Sequence, residues 1–309
     1  MPIKRVRAPA WPEKEKAGGR ISEEKCRFCE LNEEPIASGP GFHALTVFYP
    51  YYPEHVMVIP RAHVQRLRNL THLQFNGLLT AFQRVLTGAK KEQGLNLVAS
   101  VNEGLVAAQT IPHLHAHLFP EELAEPAHLW APHARYRDPL SKAIVLGHLA
   151  RKRVPVPHWI NERGALVIHF NSFSELRKPA VFSRLQLLTR ELEGSFHALR
   201  RNPDQLNILL TAEEKPGRVE AYKRILRERT GQGFGLHWAV RLHPEGGVDF
   251  ILVPRATVIS LTEPRRRIAG LELFAGTRLQ RMGLPDEESS AWRSREKKFH
   301  ENVKRWLKA

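Results

Sequence analysis

The chain has 309 residues, 42% of them hydrophobic, and a formal net charge of +15, so it can bury a large core and form two domains. This composition excludes wholesale disorder and a fibrous repeat, and no apolar run approaches the roughly 20 residues that span a bilayer. The positive charge calls for an anionic partner, such as nucleic acid, a membrane surface or a phosphorylated small molecule. Because the arginine-rich stretches are scattered and lack interleaved aromatic residues, specific nucleic-acid binding is not favoured over a solvated basic surface.

The predicted elements begin after an N-terminal tail. Residues 1–24 are basic and contain prolines but lack the apolar centre of a signal peptide, so we expect a flexible basic tail there. The patterning of the first half then predicts strands at 45–48 and 55–59, a helix opened by a capping box at Thr71 and Gln74, and strands at 95–101 and 113–118. Only two cysteines occur, which excludes a disulfide framework, and we expect a cytoplasmic protein.

The second half repeats this order of elements, which indicates an internal repeat. In this alignment the stretches 165–170, 206–216 and 237–244 correspond to 56–61, 95–104 and 113–120, with an apolar-faced helix after the first. HWAVRLHP then falls on HLHAHLFP, so that His237 overlies His113, Ala239 overlies His115 and Arg241 overlies His117. The tail at 286–309 has apolar residues at near-heptad spacing, which predicts an amphipathic helix docked on the body.

Three histidines recur at every second residue in HLHAHLFP, residues 113–120. Alternation predicts His113, His115 and His117 on one face of a strand, with apolar residues on the other. Such a strand can be buried on its apolar side while it presents imidazoles to a cleft. The spacing alone is only suggestive, and a metal-binding surface strand or partly buried histidines satisfied by the backbone are the alternatives.

Cys26 and Cys29 are separated by two residues, a spacing found in redox pairs, disulfides and zinc sites. A redox role would need a thioredoxin-like βαβ setting, and the sequence shows none. Zinc requires four ligands, two of which would have to come from elsewhere in the chain.

The histidine stretch, the N-x-G…Q loop before it and PEHVMVIPRAH (53–63) together resemble the histidine-triad (HIT) superfamily over about residues 26–120. The resemblance implies that the middle histidine is the nucleophile, that the third contacts the phosphate, and that a glutamine faces the leaving group. It also implies that an asparagine shapes the phosphate pocket and that a histidine on the neighbouring strand supports the triad. The residues are His115, His117, Gln109, Asn102 and His55, and Gly104 and Thr110 complete the predicted nucleotide-binding and phosphate-binding set.

The resemblance also completes the metal site. In metal-bearing HIT proteins and galactose-1-phosphate uridylyltransferases, two histidines complete a CxxC that precedes the domain. This implies a structural zinc ion held by Cys26, Cys29, His63 and His113. The chain departs from the family pattern at four positions: it has Val47 in place of the ribose-binding acid or amide, Glu54 and Ala108 in place of glycines, and Glu121 in place of arginine. With Glu54, the chain has the sequence PEH at 53–55, as the dinucleoside-polyphosphate phosphorylases do.

We therefore expect an α+β fold of two HIT-like halves, each an antiparallel sheet with a packed helix, joined as an intramolecular pseudo-dimer. After the tail, the expected boundaries are 25–139 for a catalytic domain, 140–260 for a degenerate HIT-like domain and 261–309 for a C-terminal helical extension. Because a methyl group cannot attack phosphorus, the alignment of Ala239 on the nucleophile predicts one active site per chain, and replacing His237 is expected to leave the chemistry intact.

The expected function is nucleotidyl hydrolysis or transfer through a covalent nucleotidyl-histidine intermediate. The substrate would be a nucleoside phosphoanhydride, a nucleotide sugar or a phosphoramidate, acted on by a monomer or a homodimer away from membranes. A zinc-stabilised nucleotide-binding regulatory protein without turnover is the main alternative, and Val47 favours it. A basic protein that binds the 5′ end of an RNA in the cleft is a third.

Overall fold

The structure is a computed structural model that describes residues 26–31, 33–47, 50, 52–104, 107, 109, 111–121, 139–151, 158–160, 165–210, 216–228, 234–255 and 286–308. The predicted tail and most of the connector after Glu121 lie outside these ranges. The described strands form one antiparallel nine-stranded sheet in the order β1-β2-β3-β5-β4-β8-β9-β7-β6.

The strands are β1 (Ala37–Gly39), β2 (Phe42–Thr46), β3 (Val56–Pro60), β4 (Leu97–Glu103), β5 (Ala116–Pro120), β6 (His158–Ile160), β7 (Leu166–Phe170), β8 (Gly235–Leu242) and β9 (Val248–Arg255). The helices are α1 (His72–Gln93), α2 (Pro139–Arg151), α3 (Phe173–Leu176), α4 (Pro179–Arg201), α5 (Gln205–Leu210), α6 (Pro216–Glu228) and α7 (Asp286–Lys308). A 3-10 turn at Leu67–Asn69 precedes α1.

The sheet contains two four-stranded units with the same connectivity. One unit has the order β2-β3-β5-β4 with α1 after its second strand, and the other has β6-β7-β9-β8 with α4 in that place. The units meet at β4 and β8, which pair antiparallel with Asn102 opposite His237. The fold is therefore the expected pair of HIT-like α+β halves, joined edge to edge within one chain.

The alignment of the two halves by sequence was wrong after α4. Residues 206–216, predicted to match the first-half strand at 95–101, begin instead within the helix α5, and β8 takes the place of β4. The counterpart of the histidine strand is therefore β9, so His237, Ala239 and Arg241 do not overlie the triad. The run LNILL is too short and too uniformly apolar to distinguish a buried strand from a helix by periodicity.

Local sequence explains why α1 begins and ends where it does. The Thr71 side chain accepts the Gln74 N–H, and the Gln74 side chain accepts the Thr71 N–H, which closes the predicted capping box. Gly94 ends the helix at φ 68°, a left-handed conformation that glycine adopts without penalty. The helix between these caps buries one apolar face against the sheet, at Phe75, Leu78, Leu79, Phe82, Val85 and Leu86.

A single apolar core, shared by the helices and one face of the sheet, spans both halves. The predicted C-terminal helix α7 joins this core through Phe299, Val303, Trp306 and Leu307, and Trp306 lies over Gly88 in α1. Among the described residues, the opposite face of the sheet buries two smaller clusters, one that includes Phe119 and Ile251 and one that includes Leu45, Met57 and Ile59. In the part of the chain that the structure describes, no helix is both long and apolar enough to cross a membrane.

Candidate active site and metal centre

The three histidines lie on either side of the start of β5. Strand β5 begins at Ala116, so His117 lies within it, whereas His113 and His115 precede it. The expectation that one strand contains all three is therefore wrong. The Leu114 N–H donates instead to the Val64 carbonyl at 2.6 Å, which anchors the irregular segment beside the chain that follows β3. His115 and His117 still lie together, with ring centroids 5.2 Å apart.

His115 is buried, and its ring is held by a backbone hydrogen bond. Nδ1 lies 2.8 Å from the His113 carbonyl oxygen. Because a carbonyl oxygen only accepts, Nδ1 must donate the proton, and a neutral ring then has its lone pair on Nε2. Burial lowers the pKa of His115, and the bond to His113 partly opposes that shift. The geometry therefore provides a neutral imidazole with a nucleophilic nitrogen on the side away from the backbone.

His55 holds His117 from the neighbouring strand, as the resemblance implies. His55 Nε2 and His117 Nδ1 lie 3.0 Å apart, within hydrogen-bond distance. His55 is fully buried, and its ring also packs edge-on against the ring of Phe119, with ring centroids 5.6 Å apart. One ring nitrogen of this pair donates and the other accepts, so the two tautomers are linked and the orientation of His117 is fixed.

The loop after β4 brings Gly104 and Gln109 together. Gln109 Oε1 accepts the Gly104 N–H at 2.7 Å, and Gln109 Nε2 donates to the Gln65 carbonyl at 3.2 Å. The amide of Gln109 therefore fastens the loop in this structure. Gly104 has φ 81°, and a Cβ there would approach the Phe234 carbonyl at 3.3 Å, so glycine is required for both conformation and space. Thr110 lies outside the described residues.

Asn102 is hydrogen-bonded to His237, which the sequence alignment had placed over His113. His237 of β8 lies opposite Asn102 in the β4–β8 ladder, and its Nδ1 forms a short hydrogen bond with Asn102 Oδ1. Its Nε2 lies 3.1 Å from Ser100 Oγ. The second half of the chain therefore contacts the predicted phosphate pocket. Only the pairing of β4 with β8 reveals this contact.

Glu103 is a buried carboxyl group on the opposite face of β4 from Asn102, where Val101 and Trp238 join the helix-side core. Its Oε1 accepts hydrogen bonds from the Leu67 N–H at 2.6 Å and from Trp238 Nε1 at 2.7 Å. Burial raises the pKa of Glu103 to about 7, although these hydrogen bonds and the nearby Arg66 and Arg68 lower it. The sequence offered no sign of this group, because a strand-end glutamate is ordinarily solvated.

The four predicted metal ligands converge. His113 Nδ1 lies 3.4 Å from Cys26 Sγ and 3.6 Å from Cys29 Sγ, and His63 Nδ1 lies 3.3 Å from Cys29 Sγ. All four donor atoms lie within 4.8 Å of one another. In a tetrahedral zinc site, bonds of about 2.0 to 2.3 Å set the ligand atoms about 3.5 Å apart. The four residues therefore fit a zinc ion held by two cysteines and two histidines.

The surroundings of His113 suit a ligand. Its Nε2 lies 2.9 Å from the Pro60 carbonyl and must donate to it, which leaves the Nδ1 lone pair directed at the cysteines. Burial lowers the pKa of His113 to about 4, so the ring is neutral near pH 7. The same residue accepts the His115 Nδ1–H through its carbonyl oxygen. The metal centre and the candidate nucleophile therefore share one residue.

A second histidine and carboxylate group lies in the other half, at His169, His243 and Asp249. Both oxygens of Asp249 are engaged, because Oδ1 lies 3.1 Å from His169 Nδ1, within hydrogen-bond distance, and Oδ2 forms an ion pair with Arg241 Nε at 3.0 Å. Arg241 also forms an ion pair with Glu121, one of the departures from the family pattern. This network ties the end of the histidine strand to β8 and β9, so Arg241 is engaged in structure.

Comparison with known proteins agrees with this geometry. A family profile described as the HIT domain matches residues 31–123. The chain is 34% identical over 77 residues to the asymmetrical bis(5′-nucleosyl)-tetraphosphatase of Schizosaccharomyces pombe, covering 25% of this chain and 42% of that protein. It is 28% identical over 133 residues to the AP-4-A phosphorylase of Mycobacterium tuberculosis, covering 41% of this chain and 63% of that protein.

The first of these relatives is matched over less than half of its length. Among solved structures, an ADP-glucose phosphorylase from Arabidopsis thaliana is similar over 87% of this chain and 94% of that one, with 13% identity and a TM-score of 0.42. The first half of the chain is thus similar to the HIT domain over residues 31–123.

Proposed function

We propose that this protein is a nucleotidyl hydrolase or transferase that acts on a nucleoside phosphoanhydride, a nucleotide sugar or a phosphoramidate through a covalent intermediate on His115. The main support is the hydrogen bond from His115 Nδ1 to the His113 carbonyl at 2.8 Å. It requires the tautomer in which Nε2 is the nucleophile, and the His115 ring lies beside that of His117, the predicted phosphate contact, with ring centroids 5.2 Å apart.

The reaction balances in two displacements. His115 Nε2 attacks the α-phosphorus, a nitrogen–phosphorus bond forms, and the phosphorus–oxygen or phosphorus–nitrogen bond to the leaving group breaks with its electron pair. Water, inorganic phosphate or a sugar phosphate then attacks the same phosphorus, loses a proton, and returns the electron pair to His115. His117, oriented by His55 at 3.0 Å, would donate to a non-bridging oxygen as charge develops.

Zinc in the Cys2His2 set would be structural. A bound ion would fasten the N-terminal segment to the triad and supply no open coordination position. Because His113 would bind the metal through Nδ1 and accepts the His115 Nδ1–H through its carbonyl, the ion would also stiffen the backbone that orients the nucleophile. Cys26, Cys29, His63 and His113 are the proposed ligands.

Two of the relatives, a dinucleoside tetraphosphatase and an AP-4-A phosphorylase, favour a dinucleoside polyphosphate over the other substrates. One observation favours the alternative of nucleotide binding without turnover. Val47 packs against the apolar cluster of Cys26, Phe28, Leu45, Met57 and Ile59, so the position of the family's ribose-binding side chain has no polar group.

A product analysis distinguishes these possibilities. The protein is incubated with diadenosine tetraphosphate, ADP-glucose, UDP-glucose or adenosine 5′-phosphoramidate, with and without inorganic phosphate, and the nucleotides are separated by chromatography. A nucleoside monophosphate identifies a hydrolase, and a nucleoside diphosphate that requires phosphate identifies a phosphorylase. Binding of these compounds without any product would support the non-catalytic alternative. The matched control is His243→Ala, a histidine that follows β8 and lies against His169 in the second half.

A further inference from the structure

His237 belongs to the second half but is paired with Asn102 of the first half, on the face of the sheet that holds His117. Ser100 of β4 is opposite His117 of β5, and the next pair, Val101 and Ala116, ends that ladder, so Asn102 and His115 each adjoin its last pair. On the other edge of β4, Asn102 is opposite His237. Residues two apart in a strand share a face, so Ser100, Asn102 and His237 all lie on the face that holds His117.

With the Asn102 carbonyl oxygen toward His237, as in this structure, the hydrogen bonds around His237 have one set of directions. Asn102 Oδ1 can only accept, so His237 Nδ1 carries the proton and donates it. In a neutral ring Nε2 then accepts, and the Ser100 hydroxyl, 3.1 Å away, donates to it. His237 is buried at 2% exposure, so water does not readily replace these contacts.

In this arrangement the carbonyl oxygen of the Asn102 amide faces His237, whereas the flipped amide would need a His237 ring that carries its proton on Nε2. With its carbonyl oxygen bound to His237, the amide can turn only its NH2 group toward an anion. The opposite orientation would set a carbonyl oxygen against phosphate oxygens, which repel it. An amide side chain has little preference between its two flips unless a neighbour fixes one of them.

We propose that His237 is a positioning residue of the candidate active site, contributed by the second half of the chain to hold the Asn102 amide with its donor group toward the phosphate. This inference rests on the proposed function, and it replaces the expectation that His237 is dispensable. It also gives the second half a role in the chemistry, because the first half alone lacks the strand that fixes Asn102.

A double-mutant cycle tests the proposal in the full-length protein. His237→Leu should lower kcat/KM about 10- to 100-fold, the order of effect of misdirecting one donor in an anion-stabilising site. In an Asn102→Ala background the same change should cause little further loss, because the residue through which His237 acts is gone. His237→Asn, which retains a donor near the Nδ1 position, should recover much of the activity, and His243→Ala should change nothing. Equal losses in both backgrounds would overturn the proposal.

Two measurements keep the test independent of turnover and of folding of the variants. In wild-type protein with 15N-labelled histidine, the ring resonances of His237 should show the Nδ1–H tautomer, and an Nε2–H tautomer would refute the proposed orientation. Binding of AMP by calorimetry should weaken in His237→Leu but not further in the double variant. If the wild type turns over none of the compounds tested, the proposed catalysis fails, whereas the AMP cycle and the tautomer still decide the role of His237.

Discussion

Replacing Glu103 by glutamine should remove a pH dependence from the stability of this fold. Glu103 is buried at the junction of the two halves, and one of its oxygens accepts hydrogen bonds from Leu67 and Trp238. Glutamine can keep both bonds through its carbonyl oxygen but cannot ionise. The substitution therefore tests the charge of the group with little change in its shape.

The magnitude follows from the pKa. Burial raises the pKa of Glu103 from 4.5 to about 7, so the folded state favours the protonated form. At 1.36 kcal/mol per pKa unit, this difference corresponds to a contribution on the order of 3 kcal/mol. The contribution is complete below pH about 4.5 and is lost as the pH rises to about 7, where the folded state must hold an ionised carboxylate.

Urea unfolding at pH 5 and pH 8 measures this contribution. The free energy of unfolding of Glu103→Gln, relative to that of the wild type, should be about 2.5 kcal/mol larger at pH 8 than at pH 5, because part of the contribution is already lost at pH 5. This is an upper estimate, since the buried site can relax. Glu34→Gln, at an exposed position, is the matched control and should show no such change. Parallel pH profiles for the wild type and Glu103→Gln would refute the reasoning.

Three further predictions concern the metal, the phosphate contact and the C-terminal helix. Cys26→Ser should lower the zinc content below one per chain and reduce the melting temperature, because metal binding adds to the folding free energy; full zinc content at an unchanged melting temperature would contradict the site. His117→Ala should lower kcat about 100- to 1,000-fold while His115 still forms an adduct, and an unchanged kcat in steady-state assays would exclude the proposed contact. Gly88→Leu should displace α7, because a Cβ at position 88 would lie 2.5 Å from the Trp306 ring, and it should destabilise the protein by about 1 to 3 kcal/mol. Thermal unfolding followed by tryptophan fluorescence measures this, and a melting temperature equal to that of the wild type would contradict it.

Much of the first half could be predicted because its signals are local. Alternation and apolar runs indicated β3, β4 and β5 to within a few residues, and the Thr71 capping box located the start of α1. The CxxC spacing could not name its partners by itself. The resemblance supplied His63 and His113, and the structure brings both to the cysteines.

The errors arose where the answer depends on tertiary contacts. The run at 206–210 became a helix because Leu206 and Leu210, four residues apart, are both buried against neighbouring helices. The alternating residues of 237–241 fit any strand with one polar face, so their partner could not be read from the pattern. Only the pairing of β4 with β8 shows that His237 contacts Asn102 and not a second metal or triad.

His115 is the proposed nucleophile, and because β9, the counterpart of β5, contains no histidine, one active site per chain is expected. Rapid mixing with diadenosine tetraphosphate, alkaline quenching to preserve the nitrogen–phosphorus bond, and intact-mass analysis measure both directly. The account predicts one adenylyl group per chain, located on His115 by peptide mapping and absent from His115→Ala. Two groups per chain, or an adduct that persists in His115→Ala, would contradict it.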